Sequence, residues 1–130
     1  MTWTRIEARV GAGVPDINGA MTQGEFWVEN KVCKNKGYKT EGLWRPSQIA
    51  WQFSRSKVYA NVWNLVSHPS DEKLYLYNGS KILELNDVEG PIPEPCLVIT
   101  YPVDWDLMIK HISETLTQIS TAMDYECANV

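Results

Sequence analysis

The chain has 130 residues, 44% of them hydrophobic and 22% charged, with a net charge of -4. That is the size and balance of one folded domain with its own apolar core, and no apolar run approaches the ~18 residues that would span a bilayer. Three widely spaced cysteines (Cys33, Cys96, Cys127) and two histidines (His68, His111) argue against a disulfide framework and against a Cys/His zinc site, so any metal is expected to prefer oxygen ligands.

Met1-Thr2-Trp3-Thr4-Arg5 lacks a basic segment followed by an apolar block, so no secretory signal is expected, and the expected location is cytoplasmic, in a bacterial or phage-infected cell. Residues 3–10 alternate polar and apolar side chains and read as a strand or a short helical turn, broken by Gly11-Ala12-Gly13. Residues 17–21 and 25–32 read as strands of a hairpin turning through Gln23-Gly24. Residues 34–43 form a polar, basic loop with Gly37 and Gly42.

Pro46 suits the first position of a helix, where its fixed φ and missing N–H cost nothing. The helix is expected to run to about Lys57, with Ile49, Ala50 and Phe53 as its apolar stripe. A buried strand follows over 59–67. Strands at 73–77 and 81–85 flank Asn78-Gly79, a type I′ hairpin signal. Pro91, Pro93 and Pro95 enforce an extended connection, and 96–101 read as a short edge strand. The last element is a helix over 104–125, with Asp104 as N-cap and Trp105, Ile109, Ile112, Leu116, Ile119 and Met123 as its stripe. That spacing is near 3.5 residues, so the stripe packs either on the chain's own sheet or on a second copy.

Charge is unevenly placed. Residues 31–57 carry Lys31, Lys34, Lys36, Lys39, Arg45, Arg55 and Lys57 against Glu41 alone, +6, which leaves -10 for the remainder. Such a segment reads either as a phosphate track or as a solvated lysine-rich loop.

The chemistry-bearing residues bracket the hairpin. Pro15-Asp16 precedes its first strand, and Glu29-Asn30-Lys31 ends its second after the apolar Phe26-Trp27-Val28. Glu29 and Lys31 are two apart, so an extended chain points both to one face of the sheet and Asn30 to the other. An unpartnered carboxylate ending a buried strand is costly. Asp16 and Glu29, with the main-chain carbonyl of Asn30, form a donor set for a hard divalent cation, magnesium or manganese, with Lys31 beside the attacking water of a phosphodiester hydrolysis. Gln48 falls in the first turn of the helix that follows the basic loop.

Gly13-Val14-Pro15-Asp16-Ile17, Phe26 to Lys31, the basic glycine-containing loop and Pro46-Ser47-Gln48 together resemble the PD-(D/E)xK nuclease superfamily, and within it the VRR-NUC domains and the related Holliday junction resolvases. The resemblance covers about residues 11–67. It implies a single compact α/β domain with a restriction-endonuclease-like mixed β-sheet flanked by helices. It also implies metal binding by Asp16 and Glu29, assistance to water by Lys31 and support from Gln48. An additional acid from a helix at the N-terminus is usual in the family, and Glu7 is the only upstream acid here, placed either in the site or on the surface. The implied activity is a metal-dependent DNA endonuclease acting on branched DNA such as a junction or flap, with phosphate contacts from Lys34, Lys36, Lys39, Arg45, Arg55 and Lys57. A short N-terminus leaves sheet to be covered, which points to a homodimer.

Two other classes fit the same sequence: a non-catalytic nucleic-acid-binding module, and a phage-type regulatory protein that binds another protein through its acidic C-terminal region or last helix. Trp44 and Trp51 are candidates for base stacking or for packing, His68 reads as a loop residue, and Ser47 as a helix-start residue.

Overall fold

The computed structural model describes residues 2–5, 13–21, 24–56 and 61–128, with the side chains of Thr4, Arg5, Ser56 and residues 119–128 outside that set. Six strands form one mixed sheet in sequence order: β1 (Thr2–Arg5), β2 (Ile17–Met21), β3 (Gly24–Val32), β4 (Val62–His68), β5 (Lys73–Asn78) and β6 (Leu97–Thr100). All neighbours are antiparallel except β3 and β4, which are parallel and connected by a crossover containing α1 (Pro46–Ser56). The expected β2–β3 hairpin is present, with Met21 opposite Gly24 and Ile17 opposite Val28. Of the 3–10 segment, residues 3–5 belong to β1 and the remainder, Glu7 included, lies outside the described residues. Lys57 and residues 58–60 lie outside them too, so the expected strand over 59–67 is observed from Val62 to His68.

Alternation along β3 divides the molecule into layers. Phe26 and Val28 face a core shared with Trp63, Leu65, Leu76 and Ile99 and closed by Met108, Ile112 and Leu116 of α3 (Trp105–Ala128). The opposite face carries Cys33, Val66 and Tyr77 under Trp44, Ile49 and the short α2 (Ile82–Leu85). α3 packs on this face of the sheet. Asp104 caps this helix by accepting from the N–H groups of Asp106 at 3.1 Å and Leu107 at 3.3 Å. Among the described residues no helix is long and apolar enough to cross a membrane.

Four expectations are corrected. The Asn78-Gly79 hairpin does not form: Asn78 Oδ1 accepts from Ser80 N–H at 3.0 Å and opens a 3₁₀ turn that leads into α2. Ile82 and Leu85 are buried at helical spacing while Leu83 is exposed, and Gly79 lies so close to Val62 that a Cβ there would meet its Cβ at 2.9 Å. The stripe of α3 starts at Met108, because Trp105 in the first turn is 52% exposed. In α1 the deeply buried residue is Gln52, whereas Ala50 and Phe53 face outward and Ile49 is half-buried. His68 is a buried strand residue, set edge-to-face against Tyr38 and Tyr75 with ring centroids 4.7 and 4.6 Å away, and burial holds its imidazole below the usual histidine range.

Candidate functional site

The site lies where the loop before β2, the middle of β3 and the first turn of α1 converge. The hairpin register places Asp16, one residue before β2, across from Glu29. The two are fastened reciprocally: Asp16 N–H donates to Glu29 Oε2 at 3.2 Å, and Asn30 N–H donates to Asp16 Oδ2 at 3.4 Å. Gly13, with φ of +84°, brings this loop against α1 so tightly that a Cβ would sit 2.1 Å from the Ser47 carbonyl oxygen. Only glycine allows that approach, and the carboxylate of Asp16 is set by it.

Glu29 is 2% exposed. Its Oε1 accepts from Gln48 Nε2 at 3.1 Å and lies 3.4 Å from Lys31 Nζ. Lys31 Nζ in turn donates to Gln48 Oε1 at 2.9 Å, and that oxygen also accepts from the Arg45 N–H at 2.9 Å. With two donors converging on its oxygen, the Gln48 amide has one orientation that satisfies every contact. Glu29, Lys31 and Gln48 thus form a closed triangle, in which Glu29 and Lys31 share a sheet face as their spacing predicts and Gln48 reaches them from α1.

Burial, followed by the charge of Asp16, pushes the Glu29 carboxyl up to about 7; Lys31 works in the opposite direction and does not cancel it. Two carboxylates, one desolvated, face each other with a single ammonium nearby. The arrangement is strained electrostatically when both are ionised, and a hard cation between them would relieve it. The Asn30 carbonyl lies on the same side of the β3 backbone as its N–H, toward Asp16, since a strand residue directs both groups to one neighbour. Among the described residues there is no group of three or more His, Cys, Asp or Glu side chains, so the oxygen donors here are two carboxylates and one carbonyl. That is a set suited to an ion that keeps much of its water.

Lys34, Lys36 and Lys39 are exposed on the loop that leaves the site. Arg45 contributes its backbone N–H to Gln48, and its side chain is exposed. The Arg55 guanidinium lies over the Trp51 ring, 4.7 Å from the centroid, and Trp51 meets Trp27 edge-on at 5.5 Å. Trp44 is buried and donates its indole N–H to Asn64 at 2.9 Å, which removes it as a stacking surface.

Sequence reasoning missed the support beneath Glu29. Asn64 pairs with Glu29 in the parallel register, and its amide is locked to Gln52 by two bonds of 2.8 and 2.7 Å, all of it buried. The available signal was one polar residue inside the apolar run Val62-Trp63-Asn64-Leu65-Val66.

Compared with protein-family models, curated proteins and solved structures, the chain finds no match.

Proposed function

We propose that the protein is a metal-dependent endonuclease that hydrolyses phosphodiester bonds in branched DNA, with a restriction-endonuclease-like arrangement of its sheet and crossover helix. The observation that carries this reading is the meeting of Asp16, buried Glu29, Lys31 and Gln48 from three separate elements. Such convergence exceeds what a turn cap and a solvated strand end require.

Asp16, Glu29 and the Asn30 carbonyl would hold the magnesium or manganese ion. When bound, that ion supplies charge neutralisation for the phosphate and lowers the proton affinity of water. The chain's own groups supply orientation. Lys31, held by Gln48 Oε1, keeps an ammonium beside Glu29 to offset charge developing on the phosphate oxygens and to fix the attacking water. Gln48 holds both Lys31 and Glu29, and through the Arg45 N–H ties them to the start of α1. The lysines of the following loop give the DNA backbone a landing surface. A homodimer would set two such sites on symmetry-related strands.

Fluorescent four-way junctions, flaps and linear duplexes incubated with magnesium or manganese provide the test. Cutting at the branch that is lost in Asp16→Ala is expected. Metal-independent binding without cutting, unaffected by Asp16→Ala, would instead establish a non-catalytic binding module, and absence of DNA binding a protein-binding role.

A further inference from the structure

On the sheet face opposite Glu29 and Lys31, a cavity of about 330 Å³ opens between β1, the sheet and the first turns of α3. Its floor is apolar, with Ile17, Val28, Leu65 and Met108, and its rim carries the indoles of Trp3 and Trp105. These rings are 43% and 52% exposed, although each belongs to a regular element. Trp3 is held by an edge-to-face contact with Phe26, its ring perpendicular and 5.2 Å away. An exposed but immobilised aromatic ring at the mouth of an apolar cavity is equipped to stack.

Two polar side chains complete the lining, Asn30 and Asp106, and among the described residues neither has a hydrogen-bond partner. Asn30 offers a donor and an acceptor side by side, the pattern that matches the N6/N7 edge of adenine. Asp106 offers acceptors to an exocyclic amine. Among the described residues no lysine, arginine or histidine lines the cavity. A neutral planar heterocycle carrying amino groups meets stacking faces and matched polar groups there. The volume lies at the low end of small-ligand pockets, ~300–1,000 Å³, which suits one ring system rather than a chain.

The cavity lies across β3 from the carboxylate site, with Asn30 between them. Ile17 follows Asp16, Val28 precedes Glu29, and Asn30 belongs to both, its backbone N–H bound to Asp16 and its side chain on the opposite face. A nucleotide whose phosphate lies at Asp16 and Glu29 would offer its base to this rim, around β3 at Asn30, only when that base has left its stack. We propose that the cavity between Trp3 and Trp105 takes an unpaired nucleobase displaced from the branch of the DNA cut at the Asp16–Glu29 site, an inference that rests on the nuclease reading above. It assigns the preference for branched substrates to a physical cause, because a branch supplies bases that are cheap to unstack.

Anisotropy titrations of the full chain with junction and flap DNA, in calcium so that binding is read without cutting, test this. Each nucleotide around the branch is replaced in turn by an abasic site. Trp105→Ala is expected to weaken binding about tenfold, in line with ~1–3 kcal/mol for stacking one base. Trp105→Phe should retain most of the affinity. At one abasic position wild type should lose a similar factor, and there Trp105→Ala should add nothing further. Unchanged affinity in Trp105→Ala, or losses that multiply at every abasic position, overturns the inference, as does loss of self-association in Trp105→Ala, which would make the cavity an interface between copies. Cutting that persists alongside any of these leaves the nuclease reading standing. If wild type neither binds nor cuts branched DNA, both fall together.

Discussion

Glu29 holds a charge where the sheet gives it little water, and its titration exposes that tension. A carboxyl raised from 4.5 to about 7 keeps its proton in the folded chain over a range where the unfolded chain has lost it. Stability contributed by this group is therefore full below pH 4.5 and is lost as pH rises through about 7. Glu29→Gln mimics the protonated form, so in the metal-free protein its stability advantage over wild type should widen across that window, reaching on the order of 2–3 kcal/mol by pH 8. Thermal melts at several pH values measure it; a gap that stays constant with pH would show that Glu29 ionises freely. Manganese should raise the melting temperature of wild type at pH 8 and have little effect on Asp16→Asn. On the nuclease proposal, Lys31→Met should slow cleavage by about 10²–10⁴-fold while DNA affinity changes little. Single-turnover kinetics separate the two. Asp16, Glu29 and Lys31 were legible in the sequence because a period of two in a strand fixes which side chains share a face. The role of Gly13 was not, since the close approach it permits is to Ser47, far along the chain.

At the scale of elements, α1 is held to the sheet by a polar lock rather than by its apolar stripe. Asn64 on β4 accepts from Trp44 and Gln52 and donates back to Gln52, entirely away from solvent. Sequence periodicity assigned Ala50 and Phe53 to the inner face because it scores apolar side chains. It cannot see that a buried amide on the facing strand makes Gln52 the better inward residue. The same blindness to partners produced the Asn78-Gly79 error: the dipeptide favours a tight turn, but the α2 that follows buries Ile82 and Leu85 with a period strands do not have. The β2–β3 hairpin, the β4 strand and the capped α3 were read correctly because their signals are local. Asn64→Leu should cost about 2–4 kcal/mol, as it leaves the Trp44 N–H and the Gln52 amide buried without partners. Adding Gln52→Leu should recover part of that loss by removing one orphan. Because Gln48 precedes Gln52 by one helical turn, Asn64→Leu should also lower cleavage more than stability alone explains, a difference visible in rates measured well below the melting temperature.

Over the whole molecule, opposite charges are segregated around the site. Residues 31–57 carry +6 in a chain of net charge -4, and the exposed Lys34, Lys36 and Lys39 lie on the loop leaving Lys31. On the nuclease proposal, an acidic remainder would disfavour a polyanion away from this segment, steering encounter toward it and suppressing nonspecific adsorption. On the same proposal, acidic groups of the site oppose a phosphate until a cation neutralises them, so DNA affinity at the centre would depend on metal and DNA affinity at the loop on salt. The two contributions are separable by measurement. Each lysine in contact with a phosphate contributes about 0.9 to the slope of log K against log salt. Replacing Lys34, Lys36 and Lys39 by alanine should therefore flatten the slope by up to about 2.7 and weaken junction and duplex DNA alike. Trp105→Ala should leave the slope as it is and weaken only DNA with an unpaired base. A triple-lysine variant with an unaltered salt slope would place the phosphate contacts elsewhere and make the 31–57 segment a solvated loop.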